Sequence, residues 1–133
     1  MNQLQVLIVD DSPTASLFLQ AKLETAAQDL AELTITRAKS GEEALLAANN
    51  QYFDLAILDV VLPGVDGFNV CHTLKEKQQS RVVALLTALH TEDDKKRGSD
   101  AGCDVYIIKP INEATLSSVL KLAYIKAQSI GSH

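Results

Sequence analysis

Leu55-Ala56-Ile57-Leu58-Asp59 is the stretch on which the fold turns. Four consecutive apolar residues, closed by one carboxylate and followed by Val60-Val61-Leu62-Pro63-Gly64, read as a buried strand that delivers an acid to a sheet edge. The same pattern occurs twice more. Leu4-Gln5-Val6-Leu7-Ile8-Val9 runs into Asp10-Asp11, and Val105-Tyr106-Ile107-Ile108 runs into Lys109-Pro110. In an open parallel sheet the carboxyl ends of the strands face one crevice. Asp10, Asp11, Asp59 and Lys109 are therefore expected to meet there.

Outward from these strands, helix and strand signals alternate along the whole chain, the pattern of an α/β domain with a parallel sheet. Ser12 is a helix N-cap and Pro13 takes the first helical position, opening a helix that carries Ala15, Leu17, Phe18, Leu19, Ala21, Leu23 and Ala26 to about Gln28. Leu33 to Ala38 reads as a second strand. Ser40 and Glu43 have capping-box spacing before a helix through Ala47 that Asn49-Asn50 ends. After Asp59, a helix is expected from Phe68 to about Gln78, then a fourth strand from Val82 to Thr87. Glu92 to Asp100 is polar, with Gly98 inside it and a thin apolar face, and supports a helix only weakly. Asn112 caps a last helix with Leu116, Val119, Leu120 and Ala123 as its buried stripe, running to about Gln128. Five βα units result.

The 133 residues suit one domain, expected over 1–130, with a core large enough to need neither disulfide nor metal staples. Gly131-Ser132-His133 reads as the start of an affinity tag or a cloning remnant, so His133 is given no role. Seventeen acidic against twelve basic residues leave a net charge of −5, which argues against direct nucleic-acid binding. No apolar run approaches the length of a bilayer span, and no leader-like segment opens the chain, so a cytoplasmic location without a membrane partner is expected. Cys71 and Cys103 lack metal-like or CxxC spacing and read as buried small hydrophobes rather than a disulfide or redox pair.

Taken together, the acidic pair Asp10-Asp11, the strand-end Asp59, the hydroxyl Thr87, the aromatic Tyr106 and the dipeptide Lys109-Pro110 occur in the order found in one family. Leu62 to Gly67 and Ala101-Gly102-Cys103-Asp104 add familiar context. The chain resembles the receiver domain of bacterial two-component response regulators over essentially its whole length. The resemblance implies a flavodoxin-like (βα)5 doubly wound parallel sheet of order 2-1-3-4-5, and a cis bond between Lys109 and Pro110. It also implies that Asp59 accepts a phosphoryl group from a histidine kinase or phosphotransfer protein.

The residue types suit that chemistry. A lone aspartate is a poor nucleophile toward an anionic donor, and three carboxylates together repel one another. A hard divalent cation with oxygen ligands relieves both problems. The family pattern implies Mg²⁺ held by Asp11 and Asp59 directly, by Asp10 partly through water, and by the backbone carbonyl of Val61. Lys109 would supply positive charge from the opposite side, since phosphoryl transfer is largely positioning and charge stabilisation. Thr87 would donate to a phosphoryl oxygen, and Tyr106 would move inward to fill the space that Thr87 leaves. Val61 and Leu89, two residues beyond Asp59 and Thr87, sit where the family tunes hydrolysis, and both are apolar here. His72 and His90 are expected on the surface, not as relay histidines.

Two other functions share the α/β layout but ask for different residues. A haloacid-dehalogenase-type aspartyl-phosphate phosphatase needs a DxD arrangement at the first strand, which Asp10-Asp11-Ser12 lacks. A flavodoxin-like cofactor binder needs a neutral phosphate loop there, where this chain places two anions. The face of the fourth strand, fourth helix, fifth strand and fifth helix is the expected docking surface for an effector. The last helix, with Tyr124 and Ile125 near its end, is long enough to dimerise or to lead into an output domain.

Overall fold

Alternate residues of the central strands go to opposite faces, and nearly all are apolar. Val6 and Ile8, Leu55 and Ile57, and Val82 and Ala84 pack into one core. Leu7 and Val9, Ala56 and Leu58, and Val83 and Leu85 pack into the other. Strands covered on both sides read as continuous apolar runs, which is why the sequence shows runs and not alternation.

The computed structural model describes residues 2–131. The elements are β1 (Gln3–Val9), α1 (Pro13–Ala26), β2 (Glu32–Ala38), α2 (Gly41–Asn50), β3 (Phe53–Leu58), α3 (Gly67–Glu76), β4 (Ser80–Thr87), α4 (Glu92–Asp100), β5 (Val105–Ile108) and α5 (Glu113–Gly131). The sheet is parallel throughout, in the order β2-β1-β3-β4-β5. Leu19 and Leu23 of α1, with Leu116 and Leu120 of α5, cover one face. Ala44 of α2, with Val70 and Leu74 of α3, covers the other. Full burial of each such leucine contributes about 1.5–3 kcal/mol. The expected doubly wound architecture is therefore the one observed.

Differences from the sequence reading lie at the helix ends. Helix α3 stops at Glu76, short of Gln78, because Gln78 turns into the left-handed region at φ 55°. Helix α5 runs past Gln128 to Gly131, the first residue of the expected tail, while Ser132 and His133, the rest of that tail, lie outside the described residues. Ser40 does cap α2 through the Glu43 amide, but the Glu43 carboxylate accepts from Lys39 N–H, so the capping box is not reciprocal. The reciprocal box belongs to α4, where Thr91 and Asp94 each accept from the other's backbone N–H. The Thr91 hydroxyl also holds the Asp94 carboxyl below the usual carboxylate range.

Helix α4 has no apolar face, and only Gly98 is buried in it. Its capping box and the exposed Lys96–Asp100 pair support it, and Arg97 stacks 4.4 Å from the Phe68 ring centroid of α3. Caps and cation–π contact substitute for a hydrophobic stripe, so periodicity alone could show the helix only faintly.

Candidate functional site

Each strand end is pinned by one backbone bond beyond its last residue. Asp59 N–H donates to Val9 carbonyl oxygen at 2.9 Å, Asp10 N–H to Ala38 at 3.1 Å, and Lys109 N–H to Thr87 at 2.9 Å. These extra rungs extend the sheet ladder into the crevice, so Asp10, Asp59 and Lys109 project from backbone tied to the sheet. The Lys109-Pro110 bond is cis.

Asp10, Asp11 and Asp59 each present a carboxylate oxygen, and the three lie within 4.8 Å of one another. Lys109 Nζ stands 3.1 Å from Asp59 Oδ2. Asp59 Oδ1 accepts from Val61 N–H at 3.1 Å, which orients the carboxylate from below. Asp10 Oδ1 accepts from Ser12 N–H at 2.8 Å, and Ser12 in turn caps α1 through Ala15 N–H. A carboxylate oxygen offers about two lone-pair directions, so these bonds leave acceptor capacity pointing into the crevice. Three anions face one cation. An all-oxygen donor set with surplus negative charge fits a hard divalent cation, not a thiophilic one.

Gly67 forms the back wall, and the sequence reading gave it no role. A Cβ at Gly67 would overlap the Asp59 carbonyl oxygen and lie 2.6 Å from Val60 Cα. Only a bare Cα lets α3 start this close to the acid-bearing turn, where Gly67 N–H donates to Val60. Asp66 caps α3 through Asn69 N–H. Gly64, at φ 73°, makes the tight turn before it, and Val65 N–H donates to Glu42 Oε1 at 2.9 Å. A glycine following an aspartate before a helix was the available signal. Its reason, backbone proximity, is not written in any one-dimensional pattern.

On the far side, Thr87 is fully buried and its hydroxyl accepts from Leu89 N–H at 3.2 Å. The Tyr106 hydroxyl donates to Leu89 carbonyl oxygen at 2.8 Å. One peptide segment, Leu89, is thus gripped by both residues. Burial, with Asp94 beside it, pushes the Tyr106 hydroxyl up, so it remains a donor through neutral pH.

The remaining titratable candidates lie elsewhere. His72 is exposed and pairs with Glu76 at 2.7 Å. His90 is exposed near the Ala88 carbonyl. Cys71 and Cys103 are both free, and burial pushes the Cys71 thiol up to about 12. It is therefore a thiol at neutral pH and a poor nucleophile.

Residues 6–121 match the family model described as the response regulator receiver domain. The chain belongs to that family. Among curated relatives, this receiver domain is 35% identical over 129 residues to the alkaline phosphatase synthesis transcriptional regulatory protein PhoP of Bacillus subtilis, covering 94% of the chain and 52% of the relative. The receiver domain thus spans about half the length of that regulator. The receiver domain of Francisella response regulator 1452 superposes with a TM-score of 0.81 at 27% identity, covering 93% and 98% of the two chains. A signal receiver domain of a histidine kinase from Syntrophus aciditrophicus gives 0.79 at 32% identity, covering 92% and 90%. Receivers are regulatory signalling domains, and this membership favours that role over the phosphatase and cofactor-binder readings. Among the described residues no helix is long and apolar enough to cross a membrane.

Proposed function

We propose that Asp59 is the phosphoacceptor of a two-component system, receiving its phosphoryl group from a histidine kinase or phosphotransfer protein. One observation carries the reading: the Asp59 carboxylate lies within 4.8 Å of two further carboxylates and 3.1 Å from the Lys109 ammonium. Asp11 and Asp59, with Asp10 partly through water and the Val61 carbonyl, would hold Mg²⁺, which when bound neutralises the acids and the incoming phosphoryl oxygens. Lys109 holds the Asp59 carboxylate in one orientation and offers its charge to the oxygens that gather charge during transfer. Thr87, whose hydroxyl can both accept from Leu89 and donate elsewhere, turns toward the phosphoryl group, and the Leu89 segment carries that movement to Tyr106. Labelling with radioactive acetyl phosphate, with Asp59→Asn and a chelator as controls, is the test.

The phosphoryl-aspartate is expected to last minutes or longer at 25 °C. Val61 is 63% exposed at the site mouth, and neither its side chain nor that of Leu89 can hydrogen-bond an attacking water. Val61→Asn is expected to shorten the lifetime severalfold in a label-decay assay. Decay of the wild-type label within seconds would overturn this reading.

A protein donor must approach past α1. Leu17 and Phe18 stand 52% and 62% exposed there, and a groove of about 490 Å³ runs from Phe18 past Ile111 and Pro110 to Asp10 and Lys109. An apolar rim that reaches Asp10 and Lys109, the neighbours of the acceptor, fits a helix bearing a phosphohistidine. Phe18→Asp is expected to slow transfer from a phosphorylated donor protein by about tenfold or more, the loss of one interface anchor, and to leave acetyl phosphate labelling unchanged. Equal slowing with both donors would exclude a docking role.

We assign the output surface to the face of β4, α4, β5 and α5, where Ile108 and Ile125 are exposed. An effector protein, an attached output domain or a second copy of the chain would read Tyr106 there.

A further inference from the structure

We infer that Gly98 is the positioning residue of the Tyr106 ring: its bare Cα is a notch in α4 that admits the ring beneath the helix, and a side chain at 98 would close it. Gly98 is buried in a helix whose other residues are at least partly exposed. A Cβ built there would lie 2.6 Å from Tyr106 Cδ2 and 2.9 Å from Cε2, closer than carbon atoms approach without something moving. The next atom it would meet is Leu85 Cδ1 at 3.4 Å, an ordinary contact, so the obstruction is Tyr106 itself. The ring cannot retreat freely, because its hydroxyl is bonded to the Leu89 carbonyl. Nor can α4 lift freely, because the preceding residue, Arg97, is stacked on Phe68 and lies 3.8 Å from Asp66 Oδ2. Glycine in a helix interior is unfavourable relative to alanine. Its presence here is explained by the ring it accommodates.

The notch has a consequence for signalling that rests on the proposed role of Tyr106 as a switch. With Ala at 98 the ring is displaced outward whether or not Asp59 is phosphorylated, which uncouples the output face from the acceptor. Gly98 touches none of the acceptor residues, so phosphorylation itself should persist.

A thermodynamic cycle on the full chain tests this with Gly98→Ala, Tyr106→Ala and the double variant. Overpacking against Tyr106 is expected to lower Tm by about 5 °C in Gly98→Ala. In the Tyr106→Ala background the same change should leave Tm unaltered or raise it, since alanine is the better helix former. Nuclear Overhauser contacts between the Tyr106 ring and α4, present in the wild type, should be lost in Gly98→Ala. A difference of less than about 2 °C between the two backgrounds, or unchanged ring contacts, would overturn the inference. Acetyl phosphate labelling of Gly98→Ala is the separate arm. Label within about twofold of wild type is expected, whereas absence of label in the wild type would sink the acceptor reading and leave the notch standing.

Discussion

Asp59→Asn is expected to abolish acid-stable, hydroxylamine-sensitive incorporation of phosphate from acetyl phosphate, while the wild type labels to a stoichiometry approaching one. The amide cannot form the acyl phosphate bond, and neither neighbour can substitute. Asp10 and Asp59 each accept one backbone N–H, and Asp11 is exposed, but of the three only Asp59 is paired with Lys109. The loss must also be separable from unfolding. Asparagine has almost the shape of aspartate, and its amide oxygen can still accept from Val61 N–H, the bond that Asp59 Oδ1 makes in the native turn. Tm of the variant is therefore expected within about 4 °C of wild type. Chelation should abolish wild-type labelling as completely as the substitution does, and added Mg²⁺ should raise the wild-type Tm more than that of the variant, because a bound ligand stabilises only the state that binds it. Labelling that survives either Asp59→Asn or excess EDTA would end the acceptor assignment.

What the sequence made legible follows a physical rule. Strands buried on both faces must be apolar throughout, so a polar residue at a strand end stands out, and Asp10, Asp59 and Lys109 are legible in the sequence itself. Caps were legible for a related reason: Ser12, Ser40 and Asn112 each satisfy a backbone N–H within three residues, a purely local interaction. Features set by an absence of atoms were not. Gly98 counted against α4 as a helix weakener, yet it is where the helix meets Tyr106. The Arg97–Phe68 stack joins residues far apart in the chain and has no periodic signature. The helix ends failed for want of a marker, since nothing in Lys77-Gln78-Gln79 announces that Gln78 will take a positive φ.

Gly67 shows how strongly such an unwritten feature can act, and Gly67→Ala is expected to damage both the fold and the site. Gly67 is the first residue of α3, and alanine there would gain at most about 1 kcal/mol of helix propensity. Against that stands a clash with backbone, the Asp59 carbonyl and Val60 Cα, which no side-chain rotamer relieves. Overpacking costs about 1–3 kcal/mol even where flexible side chains can yield. Here the cost lies at the top of that range, a large fraction of the roughly 5–15 kcal/mol that holds a domain folded. The relief available is displacement of the Asp59 turn, which shifts the carboxylate relative to Asp10, Asp11 and Lys109. A displacement of about 1 Å at a reacting group costs on the order of 100-fold in rate. The expected result is a Tm lowered by about 8 °C or more, together with an acetyl phosphate labelling rate reduced by about 100-fold at a temperature where circular dichroism shows the variant folded. Gly102→Ala is the control: Gly102 has φ 89°, but a Cβ there would meet only Lys75 side-chain atoms at 3.6 Å or beyond. That variant bears the strain of a left-handed alanine, about 1–2 kcal/mol, and should label at the wild-type rate. If both variants lose stability alike and both label normally, the contact between Gly67 and the acid-bearing turn has no bearing on the site.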